Sequence, residues 1–357
     1  MHTKLHVLNS IQPSTATQKK TMFPYSNSRL EGLNQCPVWG TVSAQKRYDT
    51  QARSMALEAG ETMHQVYAAV RIWQLANIQG LPQHAKVVAN RIFGKERWEK
   101  CNTGLAAGDD REILLQICFE VLHSSEWFDD PSDDVRTMAN MELSAIKYVD
   151  ERLPYMENWP IYVESNKNPR CMVGIEQVFD VVLEYDDGKE IRYIGTIDGL
   201  VQKASAKKWY LDENKTAARL DAGWRAKWDL YHQITGYCAS STSVFGFPVF
   251  NSRVTGAKVK PTGKGEDIIA VEPLARTPEQ IYRWASWLRS TAETFEKYKD
   301  NYAWEHADRY THSCNRYFRP CALIPFCNDT EEGRRIAFDT QMVDADPSPS
   351  ERAVMEM

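Results

Sequence analysis

Three runs rich in β-branched and aromatic residues stand close together in the middle of a chain otherwise patterned for helix. They are "CMVGIEQVFDVVLEY" (171–185), "EIRYIGTIDGLVQ" (190–202) and "KKWYLDENKTA" (207–217), separated only by "DDGK" and "KASAKK". Short turn-forming spacers between such runs predict hairpins. With the second turn centred between Ser205 and Ala206, Asp198 falls opposite Glu213. Directly opposed residues point to one face with Cβ atoms roughly 4.5–5.5 Å apart. Lys215, two residues past Glu213, shares that face. Two carboxylates held so close repel, which favours a shared proton or a divalent cation between them. Hard oxygen ligands suit Mg²⁺ or Mn²⁺. The same residues in an anonymous hairpin equally describe a solvated face carrying an ion pair.

Around this centre the pattern is helical. Apolar spacing and scarce Pro-Gly punctuation predict helices across 26–152, with Met63, Val66, Tyr67, Val70 and Trp73 on one face of the first long one. "SDDVRTMANMELSAIKYVDERL" opens on a Ser/Asp cap signal. Beyond the hairpins come a helix over 222–240, two strands in "FPVFNSRVTGAKVK" and "DIIAVEPLAR", and a helix over 277–299. Residues 1–25 read as a loose tail and 329–357 as an acidic disordered end. The expected fold class is α/β (α+β): one domain over 26–328, with a mostly antiparallel core sheet over 170–275 flanked by helices and an N-terminal helical insertion.

With 43% hydrophobic and 25% charged residues the 357-residue chain has ordinary globular composition. A net charge of −5 excludes a coat of basic residues but not a local basic stripe. No run of eighteen apolar residues occurs, and the N-terminus lacks the apolar stretch of a signal peptide. The expected location is therefore the cytoplasm, where thiols stay reduced. Cys101, Cys118, Cys171 and Cys238 sit among apolar neighbours and are expected to be small buried side chains. Cys314, Cys321 and Cys327 are clustered, with Cys36 far upstream. No G-x-x-x-x-G-K-[ST] or G-x-S-x-G motif occurs, which removes a P-loop motor and a nucleophile-elbow hydrolase.

Asp198 followed by Glu213-Asn214-Lys215 resembles the acid and ExK element of the PD-(D/E)XK nuclease superfamily. "GETMH" (60–64), "QITGY" (233–237) and "SNSRLEGLNQCPVWG" (26–40) stand in the order found in its RecB-like branch, that of the AddB proteins and CRISPR-associated exonucleases. The resemblance implies a restriction-endonuclease-like core and a metal site made by His64, Asp198 and Glu213. Lys215 would complete the catalytic set, Gln233 and Tyr237 would contact DNA, and Glu176 would stand behind the metal ligands. It also implies a structural [4Fe–4S] cluster on Cys36, Cys314, Cys321 and Cys327. The C-x6-C-x5-C spacing departs from the commoner two-residue first gap and bears most on Cys314. The same four thiolates also suit zinc.

The implied activity is Mg²⁺- or Mn²⁺-dependent hydrolysis of DNA phosphodiesters, as an exonuclease in recombination, repair or phage DNA processing. Lys258, Lys260 and Lys264 would track the nucleic-acid backbone, and any unwinding would come from a separate helicase or recombination protein. Two other readings stand beside it: a non-cleaving nucleic-acid-binding protein of the same fold, and a zinc-stapled nuclease acting on RNA.

Overall fold

The structure is a computed structural model, which describes residues 10–48, 55–102, 108–125, 135–161, 174–259, 269–299, 314–316, 319–345, 347 and 349–355. Among them the main sheet has six strands: β1 (Ile11–Pro13), β2 (Ile175–Glu184), β3 (Glu190–Lys203), β4 (Lys208–Ala217), β5 (Asn251–Lys258) and β6 (Ile269–Ala275). They lie side by side in chain order. The principal helices are α1 (Met55–Trp73), α2 (Asp110–His123), α3 (Met138–Arg152), α4 (His232–Phe245) and α5 (Pro278–Tyr298).

The β3–β4 hairpin has the register expected from its turn. Gly199 pairs with Asp212 and Lys203 with Lys208, the register that, continued one step beyond the paired residues, sets Asp198 against Glu213. The sheet is mixed, because β4 and β5 run parallel while β1–β2, β3–β4 and β5–β6 are antiparallel. A parallel pair needs a long crossover, and residues 218–250 supply it. They do not form the single helix expected over 222–240: a short helix, Ala222–Ala226, runs into a 3-10 turn, Lys227–Leu230. The backbone of Tyr231 is extended (φ −67°, ψ 118°) before α4 begins.

The chain divides into two compact units. One comprises residues 1–52, 178–195 and 278–357, the other 53–177 and 196–277. In the second unit α1 packs against α2, α3 and β4. Its expected apolar face is buried, but Ala68, Ala69 and Ile72 on the remaining faces are buried too, which makes α1 a central helix. The Thr137 hydroxyl caps α3 by accepting from Asn140 N at 3.2 Å, and the expected Ser/Asp cap lies outside the described residues.

The first unit corrects both tails. Residues 10–25 are not a loose segment: β1 pairs with β2, and Thr15 caps the helix Ala16–Thr21 through a reciprocal bond with Gln18. In the acidic end, Thr330 caps the helix Glu331–Ile336, strand Met342–Asp344 pairs with Lys46–Tyr48, and the helix Pro349–Met355 follows. Ala337, Phe338 and Met342 join a core with Val38, Val42, Tyr298, Leu323 and Phe326. A few apolar anchors without helical period suffice to seat this segment, which is why composition alone did not reveal it.

The packing of the second unit makes one expectation measurable. Leu114 on α2 is fully buried in its core, and Leu114→Ala is expected to cost about 3 kcal/mol in urea unfolding, from lost transfer energy plus the residual cavity.

Candidate functional site

The second unit carries the expected acids. His64 stands on α1, Asp198 on β3, and Glu213 and Lys215 on β4. His64 Nδ1 lies 3.4 Å from Asp198 Oδ2, and that oxygen also accepts from the Asn214 backbone N–H at 2.7 Å. Burial lowers the His64 pKa, with Lys215 and Arg71 acting in the same direction against Asp198. The imidazole is therefore held neutral, the form that ligates a metal.

The third member of the cluster is Glu176, not Glu213. One ligand atom each from His64, Glu176 and Asp198 all lie within 4.8 Å of one another, the one such group of three among the described residues. Glu176 was expected behind the ligands. Its backbone has φ +45°, a conformation that side-chain-bearing residues rarely adopt. Arg91 Nη2 braces that turn, donating to Ile175 O at 2.6 Å and to Glu176 O at 3.2 Å. Among the described residues the buried Glu176 Oε1 atom has no hydrogen-bond partner. Burial, then the Asp198 charge, pushes its pKa well above the carboxylate range. Backbone strain together with an unsatisfied buried acid makes Glu176 a candidate functional position.

Glu213 is buried beside this group and bonded to Lys215, whose Nζ lies 2.5 Å from Glu213 Oε1. Burial and then Asp198 push Glu213 up to about 8 against the pull of Lys215. Burial would lower Lys215, but Glu213 and Asp198 override it and keep the ammonium charged. Tyr231, at the start of α4, adds to that effect. Three acids and a neutral imidazole thus crowd one end of the β3–β4 pair. A divalent cation relieves that repulsion. The orphaned Glu176 oxygen and the N/O/O donor set fit Mg²⁺ or Mn²⁺.

Gln233 and Tyr237 face each other as their spacing predicts, with Gln233 Nε2 donating to the Tyr237 hydroxyl at 2.8 Å. Tyr237 is buried and Gln233 half-buried, so only the glutamine presents much surface to a ligand. Lys258 ends β5, whereas Lys260 and Lys264 lie outside the described residues.

Sequence reasoning missed the other face of β4. The Asp212 carboxylate, fully buried, receives Arg71 Nη2 at 3.1 Å, Arg253 Nε at 3.0 Å, and Arg152 Nη2. Arg71 also donates to Asp198 O at 2.5 Å and Asp212 O at 3.1 Å, tying β3 to β4 at Asp198 itself and one residue before Glu213. Gly199 makes room for it, since a Cβ there would meet Arg71 Cζ at 2.9 Å. The Asn214 amide can satisfy both its neighbours by donating to the Tyr148 hydroxyl at 3.0 Å and accepting from Arg71 Nη2 at 2.6 Å. An arginine two turns after His64 in an apolar stripe was the one available signal.

In the first unit Cys36 separates the helices Asn27–Gln35 and Pro37–Ser43, and its Sγ accepts from Trp39 N at 3.5 Å. Cys321 Sγ accepts from Leu323 N at 3.4 Å, and Cys321 N donates to Cys314 O at 2.7 Å. Burial, then Cys36, Cys321 and Cys314, pushes Cys327 up to about 12, so the four thiols are neighbours. Cys101, Cys118 and Cys238 are buried thiols, and Cys171 lies outside the described residues.

Comparison of the sequence with protein-family models gives no match, and comparison with curated proteins gives none. No helix among the described residues is long and apolar enough to cross a membrane.

The Asp212 cluster makes a pH-dependent prediction. Burial raises the Asp212 pKa, but Arg152, Arg253 and Arg71 together outweigh it and hold the carboxyl well below its usual range. A depressed carboxylate contributes stability that is complete above its unfolded value, about 3.9, and is lost as pH falls below it. Asp212→Asn is expected to lose about 3–5 kcal/mol at pH 7 by leaving buried guanidiniums uncompensated. In urea unfolding across pH 2–7, the gap from wild type should narrow below about pH 4.

Proposed function

We propose that the chain is a metal-dependent DNA nuclease of the PD-(D/E)XK type, RecB-like branch, acting as an exonuclease in DNA recombination, repair or phage DNA processing. The observation that carries this reading is the convergence of His64, Glu176 and Asp198 ligand atoms within 4.8 Å, beside the Glu213–Lys215 pair. His64, Glu176 and Asp198 would hold Mg²⁺ or Mn²⁺, with Glu213 adjoining. When bound, the metal would polarise the phosphoryl oxygen and lower the pKa of a coordinated water. The Lys215 ammonium would meet the negative charge that develops on the phosphoryl oxygens, and its bond to Glu213 orients it. Arg71 holds β3 and β4 at the spacing the acids require. Gln233, at the half-buried start of α4, would contact the strand, with Tyr237 orienting its amide.

The test is cleavage of end-labelled single- and double-stranded DNA with Mn²⁺, with and without EDTA. Asp198→Asn and Lys215→Met are each expected to lower turnover by about 10²–10³ while the protein stays folded by circular dichroism. Near-normal cleavage by either variant sinks this reading. An RNA substrate run in parallel separates the two nucleic acids.

Cys36, Cys314, Cys321 and Cys327 would carry a structural [4Fe–4S] cluster, favoured over zinc by the resemblance of the four-cysteine pattern. Anaerobically purified protein is expected to be brown and to contain iron, and Cys321→Ser to be colourless and less thermostable. Zinc in a colourless wild type would replace the cluster while keeping the staple.

A further inference from the structure

The turn that closes the β3–β4 hairpin gathers positive charge. Lys203 ends β3 and Lys208 begins β4, and the two are directly paired across the strands. Like charges directly opposed in an antiparallel pair destabilise it. Between them the chain makes a 3-10 turn, Ala204–Ala206, followed by Lys207. Lys207 has φ +49° and ψ 31°, the left-handed region that glycine enters without penalty. Among the described residues only Glu176 and Lys207 carry a side chain at positive φ. Lysine at such a position keeps a charge in spite of the strain, and strain that persists marks a candidate for function.

Nothing nearby in the described structure neutralises these charges. All three lysines are exposed, and among the described residues none of them has an ion pair. No acid occurs between Gln202 and Leu211. The chain entering β5 passes beside this end and brings aromatic rings: Trp209 packs on Phe247 with centroids 5.4 Å apart, and the Trp209 carbonyl accepts from Asn251 Nδ2 at 3.4 Å. Residues 243–251 have no acid either. Trp209 and Phe247 are each half-buried, so ring surface remains beside the ammoniums. Positive charge that follows a phosphate backbone, with aromatic side chains on which bases stack, is the combination that binds single-stranded nucleic acid.

Building on the nuclease reading above, we propose that this hairpin tip binds the phosphates of a single-stranded nucleic acid through Lys203, Lys207 and Lys208, with Trp209 beside them. An anionic strand relieves the Lys203–Lys208 repulsion as a cation relieves that of the acids. Asp198 precedes Lys203 by five residues of β3, about 17 Å along a strand. The tip therefore meets the substrate away from the scissile phosphate and sets how firmly, not how, the strand is cut.

The test separates binding from cleavage. The full chain in EDTA is titrated with a fluorescein-labelled single-stranded oligonucleotide by anisotropy, from about 50 to about 200 mM sodium chloride. Wild type is compared with the tip variant Lys203→Gln/Lys207→Gly/Lys208→Gln. A control loses the same charge at exposed lysines elsewhere in the second unit, Lys86→Gln/Lys95→Gln/Lys100→Gln. Each phosphate contact to a single strand contributes about 0.7 to the slope of log affinity against log salt. The tip variant is expected to have a slope shallower by about 2, so that salt weakens it about 20-fold less over that range. The control keeps the wild-type slope. Lys207→Gly alone is expected to be shallower by about 0.7 and to unfold in no less urea than wild type, because glycine removes the left-handed strain. An equal slope in wild type and the tip variant, or an equal change in the control, overturns the tip and leaves the nuclease reading standing. If the triple variant does not fold, an unchanged slope in Lys207→Gly overturns the tip by itself. Competition by polyglutamate as strong as by unlabelled oligonucleotide overturns nucleic acid as the partner. Wild type that cleaves with Mn²⁺ but shows no salt-dependent binding overturns the tip alone, whereas wild type that neither binds nor cleaves overturns both.

Discussion

The buried Asp212 carboxylate and its three arginines are the constraint on which the second unit turns. One side chain on β4 is fastened to α1 through Arg71, to α3 through Arg152 and to β5 through Arg253. Buried ion pairs add little net stability compared with a well-packed apolar core, but breaking one by removing a partner is severe. Their value here is geometric. Guanidinium forks accept few orientations, so α1, α3, β4 and β5 are held in one arrangement. Arg71 extends that control to the Asp198 carbonyl, and through it to the acid itself.

The two faces of β4 are electrostatic opposites. Asp212 meets an excess of guanidiniums, whereas Glu213, one residue on, meets carboxylates from Glu176 and Asp198 with Lys215 as the nearby cation. Strand alternation makes this possible, since adjacent residues point apart. At the His64–Glu176–Asp198 cluster burial and the Asp198 charge favour the protonated forms of Glu176 and Glu213, and a divalent cation in place of those protons suits that face. The strained Glu176 backbone belongs to the same economy, because an acid held at φ +45° against like charges persists only when its surroundings over-determine it.

The first unit is organised around its cysteines. Cys36 lies between two helices, the second of which presents Val38, Val42 and Trp39 to a core shared with Leu323 and Phe326. The sulfurs of Cys36 and Cys321 each accept a backbone N–H. Burial, then the neighbouring thiols, pushes Cys327 up to about 12.

Local chemistry made part of this legible. A β-rich triplet with short polar turns determines the hairpins and, once the turn is placed, the register that sets Asp198 across from Glu213. Helical period marks the core face of α1, and i,i+4 spacing sets Gln233 beside Tyr237. What the sequence could not determine depends on contacts distant along the chain. Asp212 reads as one more polar residue in "YLDEN" until Arg71, Arg152 and Arg253 arrive from three elements. Glu176 reads as an ordinary strand residue until its backbone turns left-handed and its carboxylate meets His64 and Asp198. The acidic end reads as disordered because three anchors, Ala337, Phe338 and Met342, have no period, and only a partner surface shows that they are buried. Periodicity records which way a side chain points from its own element. Which charge it meets there is decided when the elements pack.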